Sequence, residues 1–400
     1  MVLVPQDPLL TAASSGGGPL ELLVLQPTPF CNINCTYCYL PNRQSTRRMS
    51  PETLDRIFRW VFDSGLVCEP FTLLWHAGEP LVLPVTFYEI ALDLLSKHNA
   101  AKVPVLQSFQ TNATLIDPGW CEFLRHTDIF LGVSVDGPEF LHDRHRRTRQ
   151  GRGTLDRVLR GIHLLHEHDI PFHVITVLTA ESLDYPDELF DFYLANRIHS
   201  VGFNVEEIEG PHKVSSLQQA GTTERFRRFL KRFLMLSHSA DPPLRIREFE
   251  ESAAALVGGG RCEPGARTQE NKPWAIVNVD CDGNFSTYSP ELLGVDISTP
   301  RFTLGNVATD SFESVANSAR FRDLEEEISR GVRMCQDQCA YFPFCGGGAP
   351  ANKYFENGTF ASTETLSCRL HKKVTIDVTL ELLERDVQTA GAAIPKKPAL

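Results

Sequence analysis

The sequence has little that would carry a chain into a membrane or onto nucleic acid. Its first residues, Met1-Val-Leu-Val-Pro-Gln-Asp-Pro8, contain no basic stretch, and two prolines break their apolar run, which speaks against a signal peptide. No apolar segment approaches the roughly 18 residues needed to cross a bilayer. Positive charge is in deficit: 39 Lys and Arg against 50 Asp and Glu leave a net charge of −11. That balance argues against nucleic acid and anionic membrane as partners, while a basic peptide would still be drawn in. Internal repeats are absent. The expected location is the cytoplasm, where the 11 cysteines suit metal binding or catalysis better than disulfides.

What is present fits one large α/β domain with a smaller appendage. Residues 1–19 run through Ser-Ser-Gly-Gly-Gly and read as a flexible arm. From residue 20, strand and helix patterns alternate. Strands are expected at Leu22–Gln26, Phe71–Trp75, Val103–Gln110, Ile129–Val135, Phe172–Leu178 and Val201–Val205. Between them, Ser50-Pro51 supplies an N-cap and a first-turn proline for a helix whose apolar stripe is Leu54, Ile57, Phe58, Val61 and Phe62. Further helices fall at Val85–His98, Pro118–His126, Leu155–His168 and Pro186–Ala195. Six strands with intervening helices predict a parallel sheet, either doubly wound or a barrel. The alternation fades near residue 240, and a Cys- and Gly-rich region follows to Cys368 before a last helix at Thr375–Val387.

Directly after the first strand comes Cys31-Asn-Ile-Asn-Cys35-Thr-Tyr37-Cys38. Three thiols in eight residues can hold a metal centre, but they leave one iron of a cubane cluster without a protein ligand and open to a small molecule. A structural zinc site is the bland alternative, although no nearby His or Cys completes a tetrahedral set. Three more polar signatures follow strands: His76-Ala77-Gly78-Glu79-Pro80, Gln110-Thr-Asn112 and Ser134-Val-Asp-Gly137. Active sites of parallel barrels gather at the C-terminal ends of strands, so the four signatures are expected to share one mouth.

C-x3-C-x-Tyr-C followed by Gly-Glu-Pro resembles the radical S-adenosylmethionine (radical SAM) superfamily over roughly residues 20–230. The resemblance implies a partial (β/α)6 TIM-like barrel at residues 20–240, with Cys31, Cys35 and Cys38 holding a [4Fe–4S] cluster. It implies that the open iron chelates S-adenosylmethionine, which yields a 5′-deoxyadenosyl radical. Tyr37 is then expected near the adenine. Ala77, Gly78 and Glu79 are expected at the methionine amino group, with Ala77 replacing a glycine. Asn112 and Ser134 are expected at ribose and carboxylate, and Arg146, within Asp143-Arg-His-Arg146, at the methionine carboxylate. The other arginines of this stretch read as a solvated loop.

Downstream, Cys335-x3-Cys339-x5-Cys345 with Cys368 supplies four thiols, enough for one further cluster or for a zinc ion. The arrangement resembles the SPASM extension of peptide-modifying radical SAM enzymes, here residues 241–372, with residues 373–400 as a C-terminal helix and tail. That extension usually houses two auxiliary clusters. Here tyrosine, Tyr288, stands where a cysteine is usual, the C-x3-C after Cys345 is missing, and Cys262 and Cys281 are too few to fill a cubane. One auxiliary Fe–S cluster, a [4Fe–4S] centre on Cys335, Cys339, Cys345 and Cys368, is the expectation.

Two stretches, Asn284-Phe-Ser-Thr-Tyr-Ser-Pro-Glu-Leu-Leu-Gly294 and Cys345-Gly-Gly-Gly-Ala-Pro-Ala-Asn-Lys-Tyr-Phe-Glu-Asn-Gly-Thr359, resemble the cyclophane-forming maturases of the glycine-rich-repeat and OscB-type branch. The implied reaction joins an aromatic ring carbon to the β-carbon of a nearby residue in a ribosomally made precursor peptide. An electron donor such as flavodoxin or ferredoxin would feed it, and the auxiliary cluster would accept the electron released on rearomatisation. Tyr288 and Glu291 are candidates for the substrate pocket. The alternatives are a maturase that installs a thioether or a formylglycine, or a non-catalytic iron–sulfur or zinc scaffold, against which Gly78-Glu79-Pro80 argues.

Overall fold

A computed structural model describes residues 19–258, 267–294 and 302–392; the expected N-terminal arm, Cys262 and the end of the C-terminal tail lie outside them. Among the described residues ten strands form one sheet: β1 (Leu22–Leu25), β2 (Phe71–Trp75), β3 (Val105–Thr111), β4 (Ile129–Ser134), β5 (Phe172–Leu178), β6 (Ser200–Val205), β7 (Arg245–Ile246), β8 (Ile276–Val279), β9 (Asn284–Thr287) and β10 (Gly305–Asn306). Their spatial order is β10-β9-β8-β1-β2-β3-β4-β5-β6-β7. The six expected strands lie side by side in chain order and all pair in parallel. An uninterrupted order excludes the doubly wound alternative, in which the order reverses at a switch point. β10 and β7 stand at opposite edges, so the barrel stays partial.

The helices between strands pack their apolar stripes on one face of this sheet. In helix Pro51–Asp63, Ser50 Oγ accepts from Thr53 N (3.1 Å), and Leu54, Ile57, Phe58 and Val61 are buried. Alternate residues of β2 and β3 bury Trp75 and Phe109 against Tyr88 of helix Val85–His98. The Tyr88 ring lies edge-on to both, with centroids at 5.1 and 4.7 Å. The opposite strand face, carrying Leu74, Gln110, Ser134, Ile175 and Asn204, lines the barrel interior.

The boundary expected near residue 240 does not divide two cores. β8 pairs in parallel with β1, from Leu22↔Ile276 to Leu25↔Val279, and β9 and β10 extend the same sheet. Phe285 of β9 packs on Trp60, with centroids 4.5 Å apart. The appendage is thus bonded to the barrel edge, an arrangement that local periodicity cannot disclose. Its other elements include helix Ala319–Gln338, helix Pro350–Asn357, a π-helical turn at Cys368–Val374, and helix Thr375–Ala392. Among the described residues no helix is long and apolar enough to cross a membrane.

Candidate functional site

The C-terminal ends of the barrel strands open into a cavity of about 370 Å³. Cys31, Cys35 and Cys38 line it together with Glu79, Asn112 and Ser134, so the four strand-end signatures do meet. Gly78 explains part of the approach. Its φ is +63°, and a Cβ there would stand 2.3 Å from Thr28 O and 2.6 Å from Phe30 O. Only glycine lets the turn after β2 press onto the loop that carries the thiols. Ala77, also at positive φ (+70°), shares that turn and the cavity wall.

Glu79 is almost wholly buried (1% exposed). Its carboxylate accepts from Leu81 N (3.1 Å), Thr111 Oγ1 (2.6 Å) and Asn112 N (2.8 Å). Burial outweighs these donors and pushes its carboxyl up to about 7. Asn112 in turn donates to Asn32 Oδ1 (2.9 Å) and approaches Cys31 Sγ (3.8 Å).

The thiol loop is zipped onto the chain at 145–149. Asn34 N donates to Arg147 O (2.6 Å) and Thr36 N to His145 O (3.0 Å), while Ile33 bridges Thr148. Arg149 closes the seam: its Nε donates to Cys31 O (3.0 Å), its Nη2 to Arg43 O, and its guanidinium lies 4.8 Å from the Phe30 ring centroid. Arg43 donates to Cys35 O (3.0 Å). The basic stretch expected to be a solvated loop is therefore the support of the cysteine loop.

Arg146 meets a partner within the protein. Its guanidinium forms a fork with Asp136, Nε to Oδ2 at 2.9 Å and Nη2 to Oδ1 at 3.1 Å. Both groups are buried, and Asp136 also accepts from the Tyr37 hydroxyl and from Val177 N. Burial opposes charge on Asp136, but Arg146 and neighbouring His142 help hold its carboxyl below the usual range. Arg146 lines the cavity with its charge paired to Asp136 through Nε and Nη2. Tyr37 is tied to this pair through its hydroxyl and by the guanidinium 5.5 Å from its ring centroid. Ser134 Oγ accepts from Gln110 Nε2 (2.8 Å) at the cavity wall.

The three thiols line one cavity and could hold an iron–sulfur centre. Among the described residues no three His, Cys, Asp or Glu side chains are grouped closely enough to hold a single metal ion. The three thiols instead share the wall of a larger space, as ligands of separate irons must. Burial pushes the Cys31 thiol far up and the Cys35 thiol to about 11, with Arg146 and Arg43 opposing the second shift. Thiolates there require a cationic centre, so loading would release protons.

A second cavity, about 620 Å³, is lined by Cys335, Cys339, Cys345 and Cys368. Lys353 Nζ lies 3.3 Å from Cys335 Sγ and donates to Gly331 O at 2.9 Å. Burial raises the Cys345 thiol, and pushes Cys368 to about 11. Asn204, Val205, Glu207 and Arg247 line both cavities and form the wall between them. Cys281 is buried beyond this chamber and does not line it.

Glu291 lines the first cavity; burial, with Glu207 and Glu270 nearby, raises its carboxyl to about 8. Tyr288 does not: it is fully buried in the core beneath β9, at φ +75°. The place of an absent cysteine is filled with packing, not with a substrate contact. Sequence reasoning also passed over Glu206, Glu207 and Glu209, which line the same cavity immediately after β6. The strand-end rule that found Glu79 would have found them. Glu207 and Glu209 both accept from Asn352 (3.0 and 3.3 Å), and burial raises both carboxyls.

Comparison with known proteins agrees with this geometry. Residues 25–193 match the radical SAM superfamily. An uncharacterized protein of Synechocystis is 42% identical over 93% of this chain and 94% of its own length. A serine-type anaerobic sulfatase-maturating enzyme of Bacteroides thetaiotaomicron is 30% identical over 84% of each chain. Among solved structures, anSMEcpe with bound AdoMet and Cp18Cys peptide superposes with a TM-score of 0.75 at 20% identity, over 93% of this chain and 99% of that one. Streptococcus suis SuiB bound to its precursor peptide SuiA gives 0.60 at 18% identity, over 88% and 76%. The chain belongs to the radical SAM superfamily, in the SPASM-type peptide-maturase family that includes the anaerobic sulfatase-maturating enzymes, and is an enzyme of S-adenosylmethionine and [4Fe–4S] clusters.

Proposed function

We propose that this enzyme oxidises a ribosomally made peptide by two electrons, joining an aromatic ring carbon to the β-carbon of a nearby residue. Cys31, Cys35 and Cys38 would hold the [4Fe–4S] cluster, which with S-adenosylmethionine would supply the radical chemistry needed to remove one hydrogen atom from the β-carbon, leaving that carbon to bond to the ring. The second hydrogen leaves the ring as a proton and an electron. Glu291 is the proton acceptor in this reading: it lines the cavity that carries the thiols, and its carboxyl sits near 8, close to working pH. Cys335, Cys339, Cys345 and Cys368 would hold an auxiliary [4Fe–4S] cluster able to take up that electron, and an external flavodoxin or ferredoxin would provide the initial reducing electron.

The observation that carries the reading is the shared wall. A peptide held in the thiol- and glutamate-lined cavity touches Asn204, Glu207 and Arg247, whose other faces line the auxiliary chamber. The cross-link itself rests on the Asn284–Gly294 and Cys345–Thr359 stretches. A formylglycine product is the second reading, favoured by the Bacteroides relative named as a serine-type sulfatase-maturating enzyme. Oxidising serine to an aldehyde also removes two hydrogens, so mass alone cannot separate the two.

Co-expression with a candidate precursor peptide, followed by tandem mass spectrometry, tests both. A cross-link should give a loss of two hydrogens, suppressed fragmentation inside a short ring motif and no reaction with hydroxylamine. An aldehyde that forms an oxime would replace the first reading by the second. The Cys35→Ala enzyme should leave the peptide unmodified.

A further inference from the structure

The wall between the cavities contains an arginine, Arg247, that is fixed on one side and faces both cavities. Arg247 opens helix Arg247–Val257 after β7, and its guanidinium lies flat over β6 inside the barrel. Gly202 permits this: a Cβ there would stand 2.8 Å from Arg247 Cζ and 3.0 Å from Nη1. Nη2 donates to Asn204 Oδ1 (2.8 Å) and Phe203 O (3.4 Å), and Nε to Glu248 Oε1 (2.7 Å). Glu248 is itself fixed, accepting from Phe203 N (2.9 Å) and lying 3.4 Å from His371 Nε2. Burial opposes its charge, but His371 and Arg247 prevail and hold its carboxyl at about 2. Among the described residues nothing accepts from Nη1, although Arg247 lines both cavities.

We infer that Arg247 is the anchor for a backbone carbonyl of the peptide substrate, positioning the residue to be oxidised between the two metal chambers. The inference rests on the peptide reading above. A peptide at the common wall would lie as near as the first cavity allows to a cluster held by Cys335, Cys339, Cys345 and Cys368. Of the charged wall residues, Arg247 is the one that is a donor, and Nη2 and Nε are already oriented by Asn204, Phe203 and Glu248. Such preorganisation reduces the entropy lost on binding. The ligand is a neutral carbonyl rather than a substrate carboxylate, because Glu248, held as a carboxylate, already neutralises the guanidinium.

The test is steady-state kinetics of the reconstituted enzyme on the co-expressed peptide that the wild type converts, with Arg247→Gln, Arg247→Lys and Gly202→Ala. Gly202→Ala keeps the arginine and displaces its guanidinium. KM should rise roughly tenfold or more in Arg247→Gln and Gly202→Ala, as loss of a charge-assisted hydrogen bond requires, while kcat changes much less. Arg247→Lys should recover little, since an ammonium cannot reproduce the fork. A scan of peptides with single reduced amide bonds should then find one position whose carbonyl matters in the wild type and no longer matters in Arg247→Gln. A merely structural arginine would not produce that non-additivity. Unchanged KM in both Arg247→Gln and Gly202→Ala, or additive losses at every position, overturns the inference. A wild type that releases 5′-deoxyadenosine but converts no co-expressed peptide refutes the peptide reading instead.

Discussion

Removing Asp136 should cost the protein both stability and its cysteine loop. The Asp136 carboxylate is 3% exposed and neutralises Arg146, 6% exposed, through two hydrogen bonds. Asp136→Ala strands the guanidinium, and breaking one side of a buried ion pair costs about 3–5 kcal/mol. With an unfolding entropy near 2.1 cal/mol/K per residue, a 400-residue chain shifts by only about 1 °C per kcal/mol. The expected fall in Tm is therefore about 4–6 °C by calorimetry of the apoprotein. The Tyr37 hydroxyl loses its acceptor at the same time, so the loop between Cys35 and Cys38 loses its tether to the barrel.

Three measurements bear on this reasoning. Asp136→Ala combined with Arg146→Met should be less destabilised than the two losses summed, because neither charge is then left unpaired. The penalty should shrink in acid. Asp136 is held below its unfolded pKa, so its contribution is complete above the ordinary carboxylate range and disappears as pH falls through the folded value. Iron after anaerobic reconstitution should fall by about four atoms per chain, the content of one [4Fe–4S] centre, with the auxiliary chamber still filled. A Tm loss under about 1 °C with full iron content would refute the claim that this pair supports the loop.

Gly78→Ala should abolish S-adenosylmethionine binding, read by isothermal titration. It combines a left-handed φ, which costs about 1–2 kcal/mol for a residue with a Cβ, with contacts below 2.7 Å to two backbone oxygens of the thiol loop. Arg149→Met should lower iron at the Cys31–Cys38 site while the auxiliary cluster keeps its electron paramagnetic resonance signal, because the seam donates only to the first loop. Glu291→Gln should slow product formation and flatten the wild type's rise in rate through pH near 8, where that carboxyl ionises. Equal pH profiles for both enzymes would exclude Glu291 as the proton acceptor.

The barrel could be read from the sequence because its information is local. Val85–His98, Phe71–Trp75, Phe172–Leu178 and Pro186–Ala195 coincide with their expected bounds, each bracketed by a cap, a proline or a change of period. The strand-end rule then gathered Cys31, Glu79, Asn112 and Ser134 without knowledge of any side-chain contact. Edge pairing was not local. β8 joins β1 across about 250 residues, and four-residue apolar runs do not encode their partners.

The arginine-rich stretch shows why polarity alone misleads at such a site. Arg144, Arg146, Arg147 and Arg149 have the composition of a solvated loop, and Arg144 indeed pairs with Glu181 at the surface. Arg146 and Arg149 differ from it only in what the fold places opposite them: a buried carboxylate in one case, carbonyls of the thiol loop in the other. Arg149 satisfies a carbonyl that the loop leaves unpaired, because eight residues carrying three metal ligands have little freedom to form their own ladder. A cofactor loop of this kind must borrow its backbone partners from a distant segment. The borrowed segment should therefore be as intolerant of substitution as the cysteines, although no spacing rule identifies it.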